Sequence, residues 1–141
     1  MTRNQLDFIF NKFKIMRIII AIGLGGACGS VLRYLVAGWV QGLSRSTNFP
    51  VGTLSVNIIG SLVIGILAGY SENIGVFGPA TRAFLLIGLL GGFTTFSTFA
   101  YETMAMTRDA QFLSAFMNIG LQVITGLFAA WLGYRLHLLM R

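Results

Sequence analysis

The chain has 141 residues, 55% of them hydrophobic and 10% charged, with a mean hydropathy of +0.79. These values exclude a water-exposed globular core and place a single domain in a lipid bilayer. One Cys and one His give neither a disulfide framework nor a Cys/His metal site, and the net charge of +6 is scattered among apolar spans, which points to anionic lipid headgroups and away from nucleic acid.

Residues 1–16 carry Arg3, Lys12 and Lys14 beside Phe8, Ile9, Phe10 and Phe13. Two readings fit this piece: a short amphipathic helix on the membrane surface, or a basic extension upstream of a start at Met16. No small-residue cleavage site follows a short apolar core, so a cleaved signal peptide is not expected. The first span is expected over 18–40. Gly25 and Gly29 form a small-xxx-small pair that lets another helix approach closely, and Cys28 reads as one more small packing residue. Arg33 interrupts this span well inside it, either snorkelling to the interface or standing as a charge in a vestibule or at a helix end.

A polar loop with Arg45 leads to the second span, 51–70. Thr53, Asn57 and Ser61 recur every four residues there and share one helical face. A buried Asn in lipid needs partners, so Asn57 faces protein or water. The third span, 83–106, holds the densest information: Gly88-Leu-Leu-Gly-Gly-Phe-Thr-Thr-Phe-Ser-Thr-Phe-Ala-Tyr-Glu102. Its hydroxyls (Thr94, Thr95, Ser97, Thr98) follow a Gly91-Gly92 pair, a combination that loosens a helix, and a break is expected. Irregular backbone at membrane depth persists only inside protein or beside a wet cavity, where freed carbonyls can hold a cation. Phe96 and Phe99 share a face if the helix resumes after Thr95, with Thr95, Thr98 and Glu102 on the adjacent stripe. The fourth span, 111–136, carries Asn118, Gln122 and Thr125 as a polar line, and His137 is expected near the interface.

With four spans both termini lie on one side, together with Arg3, Lys12, Lys14, Arg17, Arg82, Arg135 and Arg141, against Arg45 and Arg108 on the other. The full chain thus favours termini in the cytoplasm, and a start at Met16 weakens the bias. Enzymatic chemistry has little to work with: no HExxH, no nucleophile with a His base, no intramembrane carboxylate pair. The available groups are amide and hydroxyl donors, phenyl edges and freed carbonyls, which suit a small, strongly hydrated anion.

Three segments carry a family resemblance: Gly25-Gly-Ala-Cys-Gly-Ser-Val-Leu-Arg-Tyr34, Gly52-Thr-Leu-Ser-Val-Asn-Ile-Ile-Gly60 and Gly91-Gly-Phe-Thr-Thr-Phe-Ser-Thr-Phe99, with Glu102 after the last. From Met16 onward the chain resembles the Fluc (CrcB) fluoride channels. The resemblance implies an all-α membrane protein of four transmembrane helices, the third broken, in an antiparallel dual-topology homodimer, with residues 17–141 as the channel domain. It implies passive, fluoride-selective export that relieves cytoplasmic fluoride toxicity, in a cell membrane such as the bacterial inner membrane, with lipid around it. It also implies a central Na⁺ held by the Gly91 and Thr94 carbonyls of both subunits. Phe96 and Phe99 would line the pores, and Asn57, Thr53, Thr98 and Ser97 would form the polar path. Arg33 and Glu102 would stand at a vestibule or gate. Asn118 and Gln122 occupy positions where the family tends to have small hydroxyls or Tyr, and would act as donors on the same path. Two other classes stay open: a proton-coupled four-helix exporter, which lacks its usual acid in the first span, and a non-transporting scaffold subunit.

Overall fold

The structure is a computed structural model that describes residues 3–44, 48–73 and 77–139. Arg45 and Arg141 lie outside the described residues, as do the side chains of Arg3, Glu72 and His137. Helix α1 (Arg3–Leu43) is followed by α2 (Val51–Asn73), the short α3 (Pro79–Arg82), a π-helical stretch (Ala83–Leu90), α4 (Gly91–Phe93), α5 (Phe96–Arg108) and α6 (Phe112–Leu139). Four segments are long and apolar enough to cross a bilayer: Asn11–Leu43, Val51–Tyr70, Pro79–Arg108 and Phe112–Leu136. The protein is a multi-pass membrane protein.

The first span differs from the expected 18–40. Residues of the N-terminal segment do not form a separate surface helix; they continue into α1, a single helix of 41 residues and about 60 Å. No Gly or Pro lies between Arg3 and Ile22 to stop it, so the apolar span merges with a basic turn or two beyond it. The third crossing likewise begins earlier, at Pro79, whose fixed φ suits the first turn.

Two seams organise the bundle. The first joins α1 to the third crossing, where Gly29 lies so close to the Leu89 carbonyl and the Phe93 amide that a Cβ would clash with both. The second joins α2 to α6 and rests on Gly133, which meets the Leu62 carbonyl in the same way. Lipid tails are as apolar as Leu, so helices here associate through close backbone packing and polar contacts. The first seam ends just before the short non-helical stretch described below.

α5 and α6 connect tightly. The Gln111 amide donates to the Met106 carbonyl at 2.8 Å and the Ala110 amide to the Thr107 carbonyl at 3.1 Å, the paired bonds of a Schellman ending. Such an ending needs a left-handed residue, and Ala110 supplies it at φ 58°, a conformation that costs a side-chain-bearing residue about 1 kcal/mol or more. Ala110→Gly should therefore stabilise the fold by roughly 1 kcal/mol, read as a higher melting temperature of the detergent-purified protein; a lower one would contradict the assignment.

Candidate functional site

Between α4 and α5 the chain leaves the helix for two residues. Thr94 (φ −87°, ψ 158°) and Thr95 (φ −151°, ψ 113°) are extended. Their backbone groups are at membrane depth, where no water satisfies them, and Asn57 on α2 meets that need. Its Oδ1 accepts from the Thr95 amide at 2.9 Å, and its Nδ2 donates to the Thr95 carbonyl at 3.2 Å and to Gln122 Oε1 on α6 at 2.9 Å. One side chain thus copies a β-ladder pairing and ties three elements together.

Thr95 also restarts the helix. Its hydroxyl accepts from the Thr98 amide at 3.2 Å and donates to the Thr98 hydroxyl at 2.9 Å, with Ser97 Oγ 3.3 Å away. This is an N-cap. Thr94 closes the preceding turn, its amide and hydroxyl both donating to the Leu90 carbonyl. Carbonyls before the break, those of Gly91 and Thr94 among them, lose their usual partners as a result. The Thr95 amide that a continuous helix would bring to Gly91 is turned to Asn57, and the Thr98 amide due at Thr94 goes to the cap. Arg33 takes up part of the deficit, its Nη1 reaching the Thr94 carbonyl at 3.4 Å. Arg33 therefore stands against the non-helical stretch itself, in a cavity of about 320 Å³ with Ser30, Thr53, Thr95 and Thr98.

On the other side of the stretch is a second cavity of about 360 Å³, bounded by Asn57, Leu90, Gly91, Thr94, Phe96, Phe99 and Gln122 among others. Phe96 and Phe99 meet edge to face, centroids 5.4 Å apart at 65°. Phe99 is buried, whereas Phe96 is 79% exposed in the single chain, as are Ser97 and Thr98 beside it.

Glu102 and Thr53 form a separate group one turn further along. Thr53 donates to Glu102 Oε1 at 2.7 Å, and Oε2 is buried without a partner. Both border a wider opening of about 570 Å³ that also takes in Gln41, Tyr101 and Asp109. Asn118, fully buried, donates to the Thr103 hydroxyl at 2.9 Å, and Thr103 donates to the Phe99 carbonyl at 2.8 Å. Thr125 turns back to the Leu121 carbonyl on its own helix.

The structure thus gathers Asn57, Gln122, Gly91, Thr94, Phe96 and Phe99 around one cavity beside the non-helical stretch, puts Arg33 and Thr98 in the cavity on its other side, sets Thr53 with Glu102 in a separate opening, leaves Ser97 exposed next to Phe96, and sets Asn118 behind Phe99. Two residues outside the candidate set are central: Thr95, the hub of the network, and Thr103, which links Asn118 to Phe99. Thr is a favoured N-cap type, but Thr94 and Ser97 offer the same signal as Thr95, so the sequence does not single it out.

Comparisons with known proteins bear on this arrangement. Residues 20–134 match the family model described as CrcB-like protein, Camphor Resistance (CrcB). The chain belongs to the CrcB-like family. The CrcB-like match covers the second and third crossings whole, most of the first and fourth, and every site residue named above. A relative named fluoride-specific ion channel FluC 1, from Methanosarcina acetivorans, is 47% identical over 118 residues, covering 84% of this chain and 88% of its own. Fluoride-specific ion channels FluC of Sulfurovum sp. (46%, 84% and 92% covered) and Geobacter metallireducens (43%, 84% and 94% covered) are similar to it at comparable levels.

The Asn57 geometry makes a stability prediction. Asn57→Ala strands the Thr95 amide and carbonyl in an apolar interior, at about 1–3 kcal/mol per group. A loss of at least 10 °C in melting temperature is expected; an unchanged melt would show that Thr95 is held in some other way.

Proposed function

We propose that this chain is a fluoride-selective channel that passes F⁻ passively out of the cell, working as two copies inserted antiparallel in the membrane, and that it performs no enzymatic chemistry. The printed names of the relatives support fluoride as the ion. The observation that carries the reading is the non-helical stretch at Thr94–Thr95, which sits beside a cavity edged by phenyl rings and amide and hydroxyl donors.

Fluoride holds its hydration water strongly, so a path through lipid has to replace that water with donors as the ion advances. Ser97, Thr98 and the Gln122 amide on α6 supply them along one side, and the positive edges of Phe96 and Phe99 supply weaker contacts along the other. Arg33 raises the local anion concentration, and the Thr53–Glu102 pair marks the mouth. A single chain leaves Gly91, Phe96, Ser97 and Thr98 open at mid-membrane, and polar surface of this kind needs protein or water across from it. A second copy related by a twofold axis provides it.

A central Na⁺ fits the same geometry. Gly91 and Thr94 carbonyls at the negative end of α4 lack their helical partners, the Gly91 position has open space beside it, and among the described residues no acidic cluster competes as a metal site. These carbonyls, from both copies, would hold the ion, which when bound supplies a fixed positive charge between the two paths.

Fluoride efflux from liposomes tests the reading, with chloride run in parallel. Rapid fluoride release without chloride release is expected, and Phe96→Ile should slow it at least tenfold while the dimer persists, because an aliphatic side chain has no positive edge. Release of neither ion by dimeric protein would turn the case toward a proton-coupled exporter or a scaffold subunit. The antiparallel arrangement has its own test: a tag on the C-terminus should be reached from both faces of the membrane, and labelling from one face alone would sink the homodimer.

A further inference from the structure

We propose that the cleft between the basic turn of α1 and the start of the third crossing binds one anionic phospholipid, with its phosphate at Lys14 and Arg17. The site is independent of the ion that the chain passes.

The glycine seam sets the cleft. α1 and the third crossing run parallel: Gly25 lies against the Phe84 carbonyl and the Leu89 amide, and Gly29, one turn on, against the Leu89 carbonyl and the Phe93 amide. Both helices therefore begin on the same face of the membrane. No glycine precedes Gly23 in the chain, so the close approach is not continued toward the start of α1. A cleft of about 470 Å³ opens there, lined by Phe13, Lys14, Arg17 and Ile18 on one side and residues 78–81 on the other. Its depth follows from the sequence. Arg17 is the last charge before an apolar run that reaches Leu32, and Pro79 opens the third crossing, so the cleft lies at the level of the headgroups.

The lining divides by chemistry. Lys14 and Arg17 are three residues apart on one face of α1, both exposed, and Thr81 adds a hydroxyl from the opposite wall. Among the described residues the one ion pair is Arg108 with Asp109, and none that lines the cleft is acidic. Two cations without a carboxylate complement a phosphate. Arg82, the next residue along the third crossing, is also exposed and adds positive potential at the same face. Phe13, Ile18 and Pro79 give the cleft apolar walls. A free phosphate would meet the cations and leave those walls in water. A phospholipid satisfies both, with its phosphate on Lys14 and Arg17 and its glycerol and first methylenes against Phe13, Ile18 and Pro79. Seated there, the lipid bridges α1 to the third crossing where the glycines no longer do.

Native mass spectrometry of the full-length protein in detergent, with added phosphatidylglycerol or phosphatidylcholine, tests the site. One phosphatidylglycerol per chain should stay bound under conditions that strip phosphatidylcholine. Lys14→Gln combined with Arg17→Gln should weaken that binding at least about tenfold, the factor for a hydrogen bond between charged groups. Lys12→Gln should leave it unchanged, because Lys12 lies about 200° round the helix from Lys14 and outside the cleft. Equal weakening by Lys12→Gln, or equal retention of phosphatidylcholine, would overturn the site. Displacement of the lipid by inorganic phosphate would overturn the lipid assignment. Should the double variant fail to fold, the wild-type protein decides: phosphatidylglycerol carrying a photoreactive group near its glycerol should label residues 13–18 and 78–81, and labelling elsewhere alone would sink the proposal.

Discussion

The pairing of Asn57 with both backbone groups of Thr95 is the interaction on which the rest depends. A chain in hydrocarbon cannot leave an amide and a carbonyl unpaired, since each costs several kcal/mol without water. An extended pair of residues at that depth therefore requires a side chain that donates and accepts from one position, and a carboxamide is the neutral group that does so. The consequence is two-sided. The Thr95 amide, once turned toward α2, is withdrawn from Gly91 and releases a carbonyl on the opposite side. The restart of α5 on the Thr95 hydroxyl does the same for Thr94. One latch thus creates both an electronegative helix end and a row of hydroxyls, and the phenyl pair follows in the first turn of the new helix.

The glycine seams explain why this latch holds. Asn57 reaches Thr95 only if α2 lies close to the third crossing, and Gln122 reaches Asn57 only if α6 lies close to α2. Gly133 draws α6 against α2, Gly60 lets α2 come up to Thr94, where a Cβ would meet the Thr94 methyl, and Gly29 draws α1 against the residues just before the extended pair. Helices that pack through bulky side chains stand 8–10 Å apart or more, too far for a single carboxamide to touch both neighbours. The site is therefore a product of backbone approach, and the polar residues exploit a distance that the glycines set.

Much of the architecture is legible in the residues because bilayer thickness imposes a length and an apolar composition on each crossing. The start of α1 is less legible, because a helix of good formers continues past the interface wherever nothing stops it, and the sequence marks only where the apolar part ends. Asn57 is recognisable as a buried amide in need of partners. Its partners are not, since Thr95 and Gln122 lie 38 and 65 residues away and meet it only after the seams close. Thr95 itself reads as one hydroxyl among four; its backbone, not its side-chain type, makes it the hub. Arg33 illustrates the same limit: its position inside a span is plain, but its reach to the Thr94 carbonyl depends on how α1 packs.

The basic stretch of α1 stands apart from the site and bears on assembly. Lys12, Lys14 and Arg17 lie outside the matched residues 20–134. Each exposed cation on that end is worth about 1 kcal/mol near an anionic leaflet, so together they favour one orientation of the first helix over the other. An antiparallel pair of identical chains needs both orientations in similar amounts. The contacts of the latch place no demand on orientation, because they lie within one chain; in the proposed dimer it is the open face of Phe96, Ser97 and Thr98 that a second copy would cover. Under the proposed antiparallel pairing, orientation is decided at the membrane surface by charges on α1, and complementarity between copies at the bilayer centre.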